Sequence, residues 1–324
     1  MSYSLWAWGG FAVFILVMLS IDLGVFSRRA HAVSYKEASI WSAVWVSLAL
    51  IFAVGVFYYL GNQKGLEFLT GYVIELSLSV DNLFVFLLIF AYFRVPAEFQ
   101  HRVLFWGVLG ALFMRIAMIF AGATLINNFH WVIYIFGVFL IYTGIKMMTQ
   151  SEVEVHPEQN PLVRLVTRFV PITHQYEGQN FFTRVNGRLH GTLLLLVLVM
   201  VEATDLVFAV DSIPAIFAIT TDTFIVYTSN IFAILGLRSL YFLLAGVVEK
   251  FHYLKLGLSI VLTLIGVKML TEQWLVNITS KEVIIGASLA MVATILIGSV
   301  IASLLWPKKA QTKLEVDLPQ SFEK

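Results

Sequence analysis

The sequence contains no cysteine among its 324 residues, which excludes disulfide bonds, thiolate metal ligands and thiol redox chemistry within the chain. Charged residues are also scarce, at 13% of the chain, whereas hydrophobic residues make up 59%. About 25% of residues are charged in a soluble domain, so this balance is typical of a membrane protein whose first partner is the lipid bilayer. The net charge of +1 does not suggest a nucleic-acid partner, and none is expected.

Nine hydrophobic runs approach the roughly 20 residues that span a bilayer. They lie at about residues 6–26, 38–60, 69–93, 103–125, 130–148, 191–219, 224–248, 253–272 and 283–306. The sequence therefore predicts an all-α polytopic membrane protein with about nine transmembrane helices. Arg28 and Arg29 follow the first run instead of preceding it, which favours a retained span over a cleaved signal peptide.

The basic residues between these runs are distributed unevenly. Of the 21 Lys and Arg residues, 15 fall on one side of the predicted membrane, only Lys64 and Lys281 fall on the other side, and four lie within spans. Because short cytoplasmic loops carry the excess of positive charge, this pattern predicts an N-terminus outside and a C-terminus in the cytoplasm.

The chain divides into five segments around a polar stretch that reads as a cytoplasmic linker. They are an N-terminal two-helix segment at 1–68, a first three-helix repeat at 69–148, the linker at 149–190, a second three-helix repeat at 191–272, and the ninth helix with a tail at 273–324. In each repeat an acid pair with six-residue spacing precedes an arginine and then a Gly-aliphatic-Lys-Met motif: Glu75, Asp81, Arg115 and Lys146 in the first, and Asp205, Asp211, Arg238 and Lys268 in the second. The predicted topology gives the two triplets opposite orientations, and such a 3+3 inverted repeat is typical of transporters. Chance similarity between two hydrophobic triplets is the alternative.

Five carboxylates lie in the middle of two predicted spans: Glu75, Asp81, Glu202, Asp205 and Asp211. An ionised side chain at the bilayer centre costs roughly 3 kcal/mol on insertion scales, so it persists beside partners, water or a cargo. The pattern indicates a cation path. On a regular helix Glu75 and Asp81 lie about 120° apart and cannot share one face.

Pro214 follows Asp211 closely and lacks a backbone N–H. The ring of a proline also crowds a carbonyl in the preceding turn, so the helix is expected to kink or unwind there and to free carbonyl oxygens.

The side chains around these positions are hard oxygen donors, which suit Mg²⁺, Ca²⁺ or Mn²⁺, whereas the seven histidines lie in or near loops or at a span edge. Acids that alternate between a divalent cation and protons could couple transport to a gradient, and no phosphate-binding loop suggests ATP use. We therefore expect divalent metal ions and protons as partners, no cofactor and no enzymatic activity. Internal neutralisation of the acids by Arg115 and Arg238 is the alternative. Asp22 near the end of the first run is either part of the path or an interfacial residue.

Several motifs resemble the TerC-type integral membrane protein family and its Alx-like branch. They are Ile21-Asp22-Leu23, Glu75-LSLSV-Asp81-Asn82-LFV, Tyr134-IFGVFL-Ile141-YTGI-Lys146-M, Glu202-AT-Asp205-LVFAV-Asp211-Ser212-I-Pro214-AIFAIT and Ser229-NIFAILGL-Arg238-SLYFLLAG. The resemblance covers nearly the whole chain to about Leu270. It implies a bacterial inner-membrane protein of the LysE-like transporter superfamily, associated with manganese export, metal homeostasis, pH-responsive expression, and tellurite resistance or redox modulation.

Three functions follow as hypotheses. The first is export of Mn²⁺ as the transported substrate, with Asp81, Asn82, Asp211 and Ser212 as central ligands and with Glu75, Glu202 and Asp205 as ligands or proton carriers. The second is an oxyanion-binding or redox-modulating membrane protein in which Arg115 and Arg238 contact the anion. The third is a pH or metal sensor, or a scaffold, in which the acids only pair helices. Metal selectivity, stoichiometry, direction and oligomeric state are not determined by residue identity.

Overall fold

The computed structural model describes residues 5–26, 34–149, 160–173, 175–185, 187–244, 251 and 253–306, with side chains omitted at 22–26. Ten helices and one hairpin make up this part of the chain. They are α1 (Leu5–Phe26), α2 (Tyr35–Leu60), α3 (Asn62–Tyr92), α4 (Ala97–Asn128), α5 (Val132–Thr149), α6 (Pro161–Phe169), β1 (Phe182–Val185), β2 (Arg188–Gly191), α7 (Leu193–Phe217), α8 (Thr223–Leu244), α9 (Leu254–Ile278) and α10 (Lys281–Leu305). The prediction of an all-α polytopic membrane protein is confirmed.

Eight of these helices are long and apolar enough to cross a membrane: α2 to α5 and α7 to α10. The first predicted span, at about residues 6–26, corresponds to α1, whose apolar stretch Leu5–Ile21 is shorter. α3 begins at Asn62, whereas the first predicted repeat starts at residue 69. The side chain of Asp22 and the residues Arg28 and Arg29 lie outside the described residues.

Burial separates an inner helix from the helices at the periphery. In α8, 89% of the most apolar window is buried inside the protein, whereas the value is 28% for both α2 and α10. Peripheral helices instead expose large apolar side chains such as Ile51, Val54 and Tyr58 of α2. Apolar residues that face outward in this way are stable in contact with lipid. α8 is the inner helix because most of it is buried, and its neighbours α2, α3 and α4 separate it from the bilayer.

α5 and α9 approach each other more closely than side chains would allow. A Cβ atom built on Gly266 would lie 2.7 Å from the carbonyl oxygen of Gly137, and one on Gly144 would lie 2.7 Å from that of Ser259. Small residues permit such backbone contact between membrane helices. Because the partner on α9 moves back along the chain as the position on α5 moves forward, the two helices are antiparallel.

α7 remains helical through Pro214 and ends at Phe217. The helix therefore does not unwind at this proline, whereas a kink there stays a prediction. The carbonyls of the last turn are satisfied locally, since Pro214 O accepts from Ala218 N at 3.0 Å and Ile216 O accepts from Thr220 N at 3.1 Å. Ala218 O accepts from the Lys268 ammonium.

Part of the predicted linker is structured. α6 is capped by Asn160, and the antiparallel pair β1–β2 precedes α7. Tyr176 between them donates its hydroxyl to Phe93 O at 2.7 Å, at the end of α3, and burial raises the pKa of Tyr176 to about 12, so the hydroxyl stays protonated as a donor. We call the end of the helix bundle where α3 ends and α7 begins the linker end, and the opposite end, where α3 begins and α7 ends, the loop end.

Candidate functional site

Arg115 of α4 lies at the centre of the bundle and is 1% exposed. Its Nη1 atom forms an ion pair with Glu75 of α3 and donates to Asn230 Oδ1 of α8 at 2.9 Å and to Ser212 Oγ of α7 at 3.1 Å. Its Nη2 atom lies 3.5 Å from Asp205 Oδ1 of α7. One guanidinium therefore joins four helices, which is the use to which the planar fork of arginine is suited.

The amide of Asn230 completes this group, which we call the central network. Its Nδ2 atom donates to Glu75 Oε2 at 3.1 Å while its Oδ1 atom accepts from Arg115. Neither Glu75 nor Asn230 has measurable exposure. Sequence reasoning missed Asn230, because a single neutral amide in an apolar helix gives no charge signal.

The central network has a formal charge of −1, because Glu75 and Asp205 face a single arginine. Three buried polar atoms in or beside it have no hydrogen-bond partner among the described residues: Asp205 Oδ2, Arg115 Nε and Ser79 Oγ. An unpaired buried charged oxygen is costly, so Asp205 has unused capacity to accept a proton or a cation. If both carboxylates are ionised, Arg115 neutralises only one of them.

Glu202, Asp81 and Asp211 lie around the network and are half-buried. The carboxylate of Glu202 lies against Gly110 of α4, where an added Cβ would overlap it. Asp81 is within the field of Lys255 on α9, and Asp211 is within hydrogen-bonding reach of Thr143 on α5. Glu75 and Asp81 thus face different helices, in line with their 120° separation.

The predicted site residues therefore fall into two sets. The structure brings Glu75, Asp205 and Ser212 together on Arg115, whereas it does not bring Asp81 and Asp211 into that contact. Asn82 is buried at 3% exposure. Arg238 belongs to neither set, since its Nη1 atom lies 3.4 Å from Nε2 of His101 near the linker end.

No group of three or more His, Asp or Glu side chains is arranged to hold a metal ion in the part of the chain that the structure describes. In this conformation the guanidinium of Arg115 provides the positive charge that the central acids require. A cation could reach Glu75 and Asp205 together only after Arg115 has moved.

A second polar region, which the sequence analysis did not predict, lies at the loop end. It is a cavity of about 320 Å³ that we call the loop-end crevice, lined by Gln63, Lys64, Glu67, Ile133, Phe217, Ala218, Ile219, Thr220, Thr221, Lys268, Glu272, Lys281, Ile284 and Ile285. Glu67 is 3% exposed despite its position in the second turn of α3. A signal was present in the sequence, because Lys64, Glu67 and Asp222 are charged residues at the ends of apolar runs.

Comparison with known proteins agrees with the resemblance noted in the motifs. Residues 60–312 match the model of the integral membrane protein TerC family. The chain is 54% identical over 313 residues to "Uncharacterized membrane protein STKORF319" of Myxococcus xanthus, covering 97% of this chain and 96% of the relative. It is 48% identical over 311 residues to "Putative membrane-bound redox modulator Alx" of Photorhabdus laumondii, covering 93% and 95%, and 54% identical over 272 residues to the protein of that name in Escherichia coli K12, covering 81% and 85%. No solved structure matches the chain.

Proposed function

The chain belongs to the TerC family of integral membrane proteins, and we propose that it is a secondary transporter that exports a divalent cation, with Mn²⁺ as the substrate, in exchange for protons. The observation that carries this proposal is the central network, in which two buried carboxylates face one arginine and one carboxylate oxygen is unpaired. Ionisable groups in such a position are costly and mark ion or proton pathways.

Arg115 has the role of a tethered counter-ion in this proposal. When Mn²⁺ enters, the guanidinium leaves Glu75 and Asp205, and the cation takes its place among oxygen donors that include Ser212 and the Asn230 amide. Carboxylate, hydroxyl and amide oxygens are the ligands that suit Mn²⁺. Three acids and one amide relay the cation or its exchanging protons toward the central network: Asp81, Asp211, Glu202 and Asn82.

The family also supports a membrane setting for the transport cycle. We propose the bacterial inner membrane as the location, with the linker end facing the cytoplasm as the positive-inside pattern predicts. The proposed inverted repeat is supported by the contact of α5 with α9, because these third helices of the two triplets are antiparallel and meet through Gly144 and Gly266 of their matching motifs.

Flux of radiolabelled Mn²⁺ in proteoliposomes, with and without a pH gradient, tests the proposal. Wild-type flux should depend on the gradient, and Asp205→Asn and Asp81→Asn should each reduce it more than about tenfold, since a cation path loses its charge. Glu282→Gln, an exposed acid in the first turn of α10, is the matched control and should transport normally. Normal flux in both aspartate variants, in folded protein, would reject the assignment.

The name that two relatives share, putative membrane-bound redox modulator, supports a second candidate, a redox-modulating role. This chain lacks cysteine, so such a role would have to act through a bound species instead of a thiol. Tellurite binding to Arg115 or Arg238 is its specific form. If purified protein binds tellurite in a manner that Arg115→Met abolishes, and shows no Mn²⁺ flux, this candidate replaces the first.

A further inference from the structure

The central network and the loop-end crevice are stacked along one interface. Thr220 Oγ1, just beyond the end of α7, donates to Glu67 Oε2 of α3 at 2.5 Å. Gly71 lies four residues after Glu67 on α3, and Ile216 lies four residues before Thr220 on α7. A Cβ built on Gly71 would lie 3.8 Å from Ile216 Cγ2. Another four residues in each direction lead to Glu75 and Ser212, which share Arg115 Nη1.

This register repeats one chemical pair at two levels. At each level a glutamate of α3 lies near a hydroxyl group of α7 or of the residues that follow it. The two levels are eight residues apart, or about 12 Å along α3. Between the two levels Gly71 packs against Ser229 and Ile216, since an added Cβ would lie 2.9 Å from Ser229 Oγ and 3.8 Å from Ile216 Cγ2. One serine hydroxyl therefore lies between the central network and the crevice.

The ammonium of Lys64 lies between two carboxylates at the loop end, just as the guanidinium of Arg115 lies between two carboxylates in the central network. Lys64 Nζ lies 2.8 Å from Glu67 Oε2 and 2.9 Å from Asp222 Oδ2. Asp222 is held in place because its other oxygen caps α8, accepting from Phe224 N at 3.2 Å. A divalent cation binds oxygen at about 2.0–2.6 Å, so the two carboxylates would need to close in by only about half an ångström each to hold one.

We propose that the loop-end crevice is the outer station of the cation path, where the exported divalent cation displaces Lys64 from Glu67 and Asp222 before it leaves. This inference rests on the proposed export function and extends it to residues that are not in the central network. Thr220 Oγ1 supplies a neighbouring oxygen, and Gln63 Nε2 donates to Glu67 Oε1 at 2.9 Å and so orients that carboxylate.

Weak binding is the property that such a station needs. A site on a conduction path must bind well enough for entry and poorly enough for departure. Here two carboxylates share a tethered ammonium, and Lys268 and Lys281 line the same cavity opposite Glu272. Positive and negative groups are balanced, so the cation competes with Lys64 on nearly equal terms and is released when the ammonium returns.

The absence of cysteine makes a direct test of the crevice simple. Thr221 is exposed and lines the cavity, so Thr221→Cys introduces a single thiol for a trifluoromethyl label. Mn²⁺ is paramagnetic and broadens the ¹⁹F signal of a nearby label, with Mg²⁺ as the diamagnetic reference. The labelled protein is measured in lipid nanodiscs, without a gradient, as Mn²⁺ is added.

Saturable broadening is the expected result in the otherwise unchanged chain. Lys64→Gln should lower the half-saturating Mn²⁺ concentration about tenfold, which corresponds to about 1.4 kcal/mol, whereas Glu67→Gln should abolish saturation. Lys281→Gln removes the same charge from the same cavity without touching either carboxylate contact, and should change the concentration less than about threefold. A misfolded protein would not bind Mn²⁺ more tightly. A lower half-saturating concentration in Lys64→Gln therefore cannot be explained by a folding defect.

The inference is overturned if broadening does not saturate, or if Lys64→Gln and Lys281→Gln have equal effects. Flux measured on the same samples separates this inference from the function on which it rests. Flux with no saturable broadening leaves export in place and removes the outer station. Saturable broadening that follows Lys64 and Glu67, in a protein without flux, shows a divalent-cation site in the crevice but overturns export and the outer station with it.

Discussion

Arg115 and Lys64 occupy equivalent places at two levels of one interface, yet their surroundings differ. Each stands between a glutamate of α3 and an aspartate, but the side chain of Arg115 is 1% exposed and that of Lys64 is 26% exposed. The arginine also donates to Ser212 and Asn230, whereas the lysine forms ion pairs with Glu67 and Asp222. The buried acids of the central network are held by the rigid guanidinium of Arg115. The partly exposed acids of the loop-end crevice are held by the flexible ammonium of Lys64, which solvent can replace.

The largest expected effect is on folding stability when the central arginine is removed. Arg115→Met leaves Glu75 and Asp205 buried without a counter-charge, and breaking a buried pair in this way costs about 3–5 kcal/mol. Thermal unfolding in detergent, followed by tryptophan fluorescence, should show a large drop in midpoint.

The triple variant Arg115→Met, Glu75→Gln, Asp205→Asn should recover most of that loss, because no uncompensated charge remains. Lys146→Met on the exposed end of α5 is the control and should leave the midpoint nearly unchanged. An Arg115→Met protein as stable as wild type would show that the acids are already neutral.

A moderate effect is expected at the edge of the central region. Gly110→Val places side-chain atoms where the Glu202 carboxylate lies, and overpacking typically costs about 1–3 kcal/mol. The displaced carboxylate should also reduce Mn²⁺ flux beyond what the stability loss explains. Gly286→Ala in α10 is the matched control, since nothing lies within 4 Å of its added Cβ, and removal of a helix glycine should stabilise by about 0.5–1 kcal/mol. Flux and stability that fall in proportion in Gly110→Val would remove the role of Glu202.

The smallest effect is expected at Lys64 in the loop-end crevice. Lys64→Met should lower the free energy of unfolding by about 1 kcal/mol or less, because partly exposed ion pairs contribute little and are screened by salt. Unfolding midpoints of wild type and variant should converge at high ionic strength. A loss as large as that of Arg115→Met would erase the distinction between the two levels.

The transmembrane architecture could be predicted from hydrophobic runs alone, because spanning length and composition decide it. α6 and the β1–β2 hairpin could not, since they lie within a polar segment whose structure depends on contacts such as Tyr176 with the end of α3. The chemistry of the site was visible as intramembrane acids. Which acids meet Arg115 depends on how α3, α4 and α7 cross, and a sequence pattern does not encode crossing angles.

Two particular residues show where the sequence argument stops. Pro214 indicated a kinked or unwound helix, but a proline removes only the hydrogen bond of its own nitrogen, and membrane helices tolerate this loss, so the helix reaches Phe217. Asn230 carries no charge and follows no spacing rule, yet it bridges Glu75 and Arg115. Buried amides of this kind are recognised only when their partners are placed.

The glycine contact between α5 and α9 has a mechanical consequence. A helix whose backbone touches a neighbouring carbonyl has no side-chain layer to deform, so it resists being pushed closer and keeps its spacing while other interfaces change. Gly137, Gly144 and Gly266 therefore fix the separation of α5 and α9. A bulky residue at any of these positions would push the two helices apart without changing a charged group.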